Sequence, residues 1–155
     1  MNMHVTTSHD SEARWVVADR VRFLGGMAGE KLELIEVEIP PGSGTPPHSH
    51  ASPELFYVVE GEVTIRHFAS GKPPTTVAAR AGTSVRIDGH APHNYANESG
   101  RPARMLVMIE PSMTAFFREI GTPEPQAEPD FARIGAAMQR HGIEAHLLAQ
   151  YGKGG

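Results

Sequence analysis

Short apolar segments alternate with clusters of turn-forming residues along most of this chain. Between residues 15 and 110, eight runs rich in valine, isoleucine and phenylalanine are separated by segments rich in glycine, proline, serine and aspartate. The runs are 15–24, 31–39, 54–61, 62–68, 75–79, 83–87, 93–97 and 103–110. Because no helical pattern separates them, these runs predict an antiparallel all-β barrel or sandwich.

After Pro111 the pattern changes, and apolar residues recur every three to four positions. Segments 113–121 and 130–142 each place their apolar residues on one helical face, and each ends at a glycine. Asp130 is a suitable N-cap for the second segment. We therefore predict two short C-terminal helices, packed on the barrel exterior or on a neighbouring subunit. The predicted organisation is a flexible tail over 1–13, a β-barrel over 14–112 and a helical extension over 113–150.

Length and charge narrow the functions open to the chain. Its 155 residues suit one domain, and its net charge of −4, with 14 scattered Lys and Arg, gives no basic surface for nucleic acid. No apolar run approaches the roughly 20 residues that span a bilayer. The N-terminus also lacks the apolar segment of a secretion signal. We therefore expect a soluble, cytoplasmic protein with neither a nucleic-acid nor a membrane partner.

Cysteine and histidine content restrict the chemistry further. Cysteine is absent, which excludes disulfides, thiolate metal ligands and cysteine nucleophiles, whereas histidine occurs nine times. Any metal in this protein must therefore be held by histidine and carboxylate.

The clearest chemical signal is the segment GSGTPPHSHASPELFYVVEG, residues 42–61. His48 and His50 are two residues apart, so on an extended strand both imidazoles project from one face. Glu54 has the same parity, and a turn or bulge over 51–53 can return its carboxylate toward the same point. This arrangement predicts part of a metal site.

A further ligand is expected from elsewhere in the chain. Transition metals in proteins normally take three or four protein ligands. The later segment AGTSVRIDGHAPHNYAN, residues 81–97, offers His90 and His93. The residues alone leave the choice between these two open.

Both segments resemble the sequence motifs of the cupin superfamily. The first motif, G-x5-H-x-H-x3-E-x6-G, is matched at every fixed position, by Gly42, His48, His50, Glu54 and Gly61. The second motif, G-x5-P-x-G-x2-H-x3-N, is matched at Gly82, His93 and Asn97. Asp88 and His90 stand where the family usually has proline and glycine.

The resemblance implies a single jelly-roll barrel that binds a divalent metal through His48, His50, Glu54 and His93. Fe(II) is favoured because it suits oxygen activation, although Mn, Ni, Cu or Zn fit the same ligands. Quercetin dioxygenase-like cupins are the subgroup that the chain resembles, which implies an oxygen-dependent oxidoreductase acting on a small aromatic or enol-type molecule. In that role Glu54 is both a ligand and the catalytic proton acceptor. A Lewis-acid isomerase or cyclase and a non-catalytic small-molecule-binding cupin are the alternatives.

Several other polar residues have more than one interpretation. His90 is a further ligand, a nearby base, or a rim residue that replaces glycine in a turn. Tyr57 and Tyr95 either supply phenol groups to a pocket or pack on half-buried strands. Three arginines are candidates to hold an acidic substrate if they point inward, namely Arg66, Arg86 and Arg104.

Association with a second copy is also expected. Segments 32–39 and 105–111 carry apolar residues of both parities, which indicates strands that are covered on both faces. Packing of two sheets in a homodimer is the simplest way to cover the outer face.

Overall fold

Two antiparallel β-sheets and two short helices make up the described part of the chain, residues 2–29 and 31–146 of a computed structural model. The predicted all-β jelly-roll class with two short helices is confirmed. Residues 147–150 of the predicted helical extension lie outside the described residues.

The first sheet has six strands. In spatial order they are β1 (Glu12–Val16), β2 (Asp19–Gly26), β3 (Glu33–Ile39), β10 (Ala103–Ile109), β5 (Glu54–Glu60) and β8 (Ser84–Ile87). Alternate residues of β3, such as Ile35, Val37 and Ile39, are buried because successive side chains of a strand point to opposite faces. These residues form the core between the sheets.

The second sheet has five strands and carries most of the candidate site. In spatial order they are β11 (Glu144–Ala145), β4 (His48–Ser49), β9 (His93–Ala96), β6 (Glu62–His67) and β7 (Thr75–Arg80). The two-residue strands β4 and β11 lie outside the apolar runs because they are too short to show an alternating pattern.

The predicted run 15–24 is a hairpin rather than one strand. Strands β1 and β2 pair with Val16 opposite Asp19, so Val17 and Ala18 form a two-residue turn. Val17 has a φ of 58°, a left-handed conformation that β-branched residues rarely adopt. Such turns usually contain glycine or asparagine, so the sequence carries no sign of this one.

The helices α1 (Pro111–Ile120) and α2 (Phe131–Arg140) form where the pattern predicts them. Pro111 occupies the first turn of α1, and the Asp130 side chain accepts a 3.0 Å hydrogen bond from the Arg133 amide at the start of α2. Predicted packing on the barrel exterior is wrong, because both helices cover the barrel interior and line its cavity. No helix in the described part of the chain has the length and apolar character needed to cross a membrane.

The residues after α2 attach the helical segment to β4. In the pairing of β11 with β4, Ala145 lies opposite His48. The His146 amide donates to the Pro47 carbonyl at 2.9 Å, and the His146 imidazole Nε2 lies 2.7 Å from Ser49 Oγ. The C-terminal side of the helices is thereby joined to the strand that carries His48.

Candidate metal centre

Three histidines from neighbouring strands meet inside the barrel. His48 begins β4, His50 directly follows that strand, and His93 begins β9 in register with His48. One ring nitrogen from each histidine lies within 4.8 Å of the other two. We refer to His48, His50 and His93 as the three-histidine cluster.

Glu54, at the start of β5, contacts two members of this cluster but is not part of it. Its Oε2 lies 2.9 Å from His93 Nε2, and its Oε1 lies 3.4 Å from His50 Nε2. Burial alone would raise the pKa of this carboxyl, which is 6% exposed, but the imidazoles of His50 and His93 outweigh burial and lower the pKa to about 2. The carboxylate is therefore ionised at neutral pH.

Backbone carbonyls orient two of the imidazoles. His48 Nδ1 donates to the Pro46 carbonyl at 2.8 Å, and His93 Nδ1 donates to the Ala91 carbonyl at 2.8 Å. In both rings Nε2 is left to face other groups, which is how such hydrogen bonds prepare metal-binding histidines.

The pKa values of these two histidines move in opposite directions. Burial, helped by the nearby His93, lowers the pKa of His48 to about 4, so this ring is neutral at neutral pH. Burial also acts to lower the pKa of His93, but its hydrogen bond and ion pair with Glu54 raise it overall. A proton would therefore compete with a metal ion more strongly at His93 than at His48.

His50 provides a test of whether a metal fits this centre. Both ring nitrogens of His50 are buried and make no hydrogen bond, although Nε2 lies 3.4 Å from Glu54 Oε1. Unpaired polar groups in a protein interior are costly, and a bound cation is one way to satisfy such a nitrogen. Three imidazoles beside one carboxylate also form a donor set that suits divalent transition metals. The residues therefore fit such an ion.

The remaining motif residues shape the backbone around the centre. Asn97 is 1% exposed, and its side-chain amide donates to the carbonyls of Ile39 at 2.8 Å and Arg101 at 2.7 Å. These bonds attach the end of β9 to β3. Gly61 has a φ of 75°, and a Cβ there would lie 2.7 Å from the Pro102 carbonyl oxygen.

His90 lies at the rim of the barrel. Its side chain is exposed, its φ is 64°, and its amide donates to the His50 carbonyl at 2.7 Å. Of the three interpretations of this residue, the structure matches the rim residue in a turn. The left-handed backbone also explains a preference for glycine at this position in the second motif.

A cavity of about 270 Å³ lies beside the centre. His48, Glu54 and His93 contribute to its polar part. Its apolar walls come from strands and from both helices, including Val21, Val37, Phe56, Met105, Val107, Met113, Phe116, Ile134 and Met138. Sequence reasoning missed the contribution of the helices because an amphipathic pattern shows that one face is buried, but not what it is buried against.

None of the three candidate arginines points into this cavity. Arg66 pairs with Glu98, Arg86 pairs with Asp88, and Arg104 pairs with Glu36. No lysine or arginine among the described residues lines the cavity. The described cavity wall therefore offers no lysine or arginine to pair with an acidic molecule.

A second polar group in the cavity consists of Tyr95 and Asp19. The Tyr95 hydroxyl donates to Asp19 Oδ2, and Ser43 Oγ donates to Asp19 Oδ1 at 2.5 Å. Burial raises the pKa of Asp19, although its hydrogen bonds with Ser43 and Tyr95 act to lower it. Tyr57, the other candidate phenol, is 44% exposed and lies outside the cavity.

Asp19 was missed by sequence reasoning, although a signal was present. Asp19, Val21 and Phe23 share one parity of β2, and all three are buried. An aspartate in phase with buried apolar residues is a candidate inward-facing group.

A comparison with protein families finds a match over residues 35–109 to the model described as a cupin domain. The metal-ligand candidates, strands β4 to β10 and most of β3 lie within this range. A search of curated proteins found no match to this chain.

Solved structures share the fold at low sequence identity. An RmlC-like cupin from Shewanella frigidimarina NCIMB 400 has a TM-score of 0.62 and 18% identity, covering 74% of this chain and 96% of its own. The polyketide cyclase RemF from Streptomyces resistomycificus has a TM-score of 0.59 and 24% identity. The match covers 70% of this chain and 79% of the cyclase chain. An FeII HppE structure has a TM-score of 0.58 and 16% identity. The match covers 70% of this chain and 60% of the HppE chain. Residues 35–109 of this chain therefore match a cupin domain, and the chain shares its fold with these structures.

Proposed function

We propose that this chain is a metal-dependent enzyme that transforms a small, largely apolar molecule in the cavity beside the three-histidine cluster. One observation carries the proposal: His48, Glu54 and His93 form a polar part of a cavity whose other walls are mostly apolar. A reactive centre beside a mostly apolar pocket is typical of sites for small organic ligands.

The proposed metal ligands are His48, His50, His93 and Glu54. Two observations support the three nitrogen ligands. The ring nitrogens of His50 make no hydrogen bond, and His48 and His93 are oriented by Nδ1 donation to backbone carbonyls, with His93 Nε2 against Glu54. Glu54 would complete the set, since its carboxylate lies against two of the three imidazoles. A bound divalent ion supplies a Lewis acid and, as the favoured Fe(II), an oxygen-activating centre; Mn, Ni, Cu or Zn fit the same donors.

Glu54 is also the proposed catalytic base. With a pKa of about 2, the carboxylate is a weak proton acceptor as long as His50 and His93 lie against it. A divalent ion held by the three-histidine cluster would also favour the ionised Glu54, so this carboxylate would act as a base only toward a substrate hydroxyl that the ion has made more acidic. Oε1 or Oε2 of Glu54 then accepts the proton of a substrate hydroxyl.

The leading reaction class is oxygen-dependent oxidation of a small aromatic or enol-type molecule, of the quercetin dioxygenase-like kind. An isomerase or cyclase that uses the ion as a Lewis acid is the second candidate. The mostly apolar cavity favours it, because a pocket that excludes water protects reactive intermediates from hydrolysis.

Metal content tests the ligand assignment. Protein purified without chelator is measured by elemental analysis, together with His48→Ala and His93→Ala. We expect bound metal in the wild-type protein and its loss in both variants. His67→Ala is the matched control because His67 is an exposed histidine of β6 outside the cavity. Full metal content in His48→Ala and His93→Ala would show that the assigned ligands are wrong.

Turnover tests the reaction class. Fe(II)-loaded protein is incubated with a panel of phenols, flavonols and enols while oxygen uptake and product formation are followed. Oxygen uptake coupled to product supports oxidation, whereas turnover under argon supports the isomerase or cyclase. Tight binding of a panel member that is recovered unchanged under both conditions would favour a non-catalytic binding protein and refute the proposed enzyme.

A further inference from the structure

We propose that Tyr95, positioned by Asp19, is a second anchor point for the ligand and selects molecules that carry a hydrogen-bond donor away from their metal-binding oxygen. This inference rests on the proposed use of the cavity as a ligand site. It adds a specificity residue to the motif residues, and it narrows the ligand class to ring compounds with two oxygen functions.

Strand β9 places Tyr95 and His93 in the same cavity. The two residues are two positions apart, so their side chains share the inner face of the strand, with Cα atoms roughly 6.5 Å apart. Phe56 lies beside both, with its ring centroid 6.4 Å from that of His93 and 6.3 Å from that of Tyr95. An aromatic wall therefore accompanies both polar groups, which favours a flat, unsaturated ligand.

Asp19 determines what Tyr95 can offer to a ligand. Both carboxylate oxygens of Asp19 accept hydrogen bonds, one from the Tyr95 hydroxyl and the other from Ser43. The single proton of the phenol is thereby committed, and its oxygen is left as an acceptor. A ligand group that binds there must donate, as a hydroxyl or an N–H does and an ether does not.

The surroundings of this pair indicate a role beyond packing. Asp19 is 3% exposed, and the wall around it is apolar, including Val21, Val37 and Met105. An apolar residue in place of Asp19 would fill such a wall without the cost of burying a carboxylate. A buried acid that fixes the proton of a cavity-lining tyrosine is instead suited to ligand selection.

The cavity volume suits compact probes of one or two rings. A dry cavity of about 150 Å³ accommodates benzene. The cavity here has a volume of about 270 Å³. Naphthols and naphthalenediols are therefore suitable probes, because they have the same ring system and differ by one hydroxyl.

The experiment measures dissociation constants of naphthols and isomeric naphthalenediols by calorimetry on the full chain, both metal-loaded and chelator-treated. For at least one diol we expect the second hydroxyl to increase affinity about fivefold, the effect of one neutral hydrogen bond. Tyr95→Phe should abolish this gain and Asp19→Asn should reduce it. Tyr57→Phe, which removes an exposed phenol, should retain it.

The diol-to-naphthol affinity ratio within one variant reports on the anchor, since general destabilisation affects both ligands alike. Tyr95→Phe keeps the ring, so it tests the inference even where Asp19→Asn fails to fold. An unchanged gain in Tyr95→Phe, or no gain for any diol in the wild-type protein, would overturn the inference. A failure of the proposed metal chemistry would appear separately, as missing metal or turnover, while the chelator-treated protein still showed the anchor effect.

Discussion

The metal-free protein should lose stability in mild acid because of His48. This ring has an ordinary pKa of 6.5, and burial in the fold lowers the pKa to about 4. Between these values the unfolded chain binds a proton that the folded chain does not. The neutral ring therefore contributes stability that is fully present above pH 6.5 and is lost as the pH falls toward about 4.

The magnitude follows from the two pKa values. A tenfold change in proton affinity corresponds to about 1.4 kcal/mol, so the full loss is about 3 kcal/mol. His48 is only half-buried, and solvent screening reduces the expected loss to about 2 kcal/mol. His93 has a raised pKa and acts with the opposite sign, so its contribution is present in acid and is lost as the pH rises through its folded-state pKa.

A comparison of wild-type protein with His48→Asn isolates this effect. The asparagine amide can still donate to the Pro46 carbonyl, as His48 Nδ1 does, but it does not titrate. Urea unfolding in the presence of chelator at about pH 7 and about pH 4.5 gives the free energy of unfolding of each protein. We expect the loss in acid to be about 2 kcal/mol smaller in His48→Asn. Equal losses in the two proteins would refute the assignment of a lowered pKa to His48.

Three further predictions concern the turn at the rim, the second motif and the outer sheet face. His90→Gly should raise the free energy of unfolding by about 0.5–1 kcal/mol in urea titrations, because glycine removes the strain of a left-handed backbone at this position. Metal content should stay the same, and a lower free energy of unfolding would contradict the prediction. Asn97→Ala should lower the free energy of unfolding by about 3 kcal/mol, because the carbonyls of Ile39 and Arg101 lose their hydrogen-bond donor. A loss well below 1 kcal/mol would show that these bonds are dispensable. We propose that the outer face of β5 and β10, where Leu55 and Met108 are neighbours, forms a homodimer interface. Met108→Glu should then sediment as a monomer, unlike the wild-type protein and the control Val77→Glu, and a monomeric wild-type protein would refute the interface.

The positions of the metal-ligand candidates were predictable because local rules determine most of them. Residues i and i+2 of an extended segment project from the same face regardless of the tertiary fold, which brings His48 and His50 together. Their meeting with His93 required a long-range contact, and only the resemblance to the second motif indicated it. The sequence itself left His90 and His93 as alternatives, and backbone conformation separates them, since His90 lies in an exposed left-handed turn.

The second anchor and the covering helices were not predictable in the same way. Asp19 and Tyr95 belong to strands of different sheets, so no spacing along the chain relates them. The tight turn at Val17 lacks the residues that usually mark such turns, which concealed the start of β2. The helices show an apolar face in the sequence, but long-range contacts hold them over the barrel, including the bridge between Trp15 and Thr122 and the pairing of β11 with β4.

That pairing couples access to the cavity with the integrity of the candidate metal centre. Any movement that lifts α2 from the barrel pulls on β11 through 141–143, and β11 is bound to the strand that holds His48. Because β4 and β11 are each only two residues long, few backbone hydrogen bonds hold this pairing, and we expect it to open locally before the longer strands do. An opening wide enough to exchange the proposed ligand would therefore also loosen His48, so that ligand departure and retention of the proposed metal would compete within a single fluctuation of the chain.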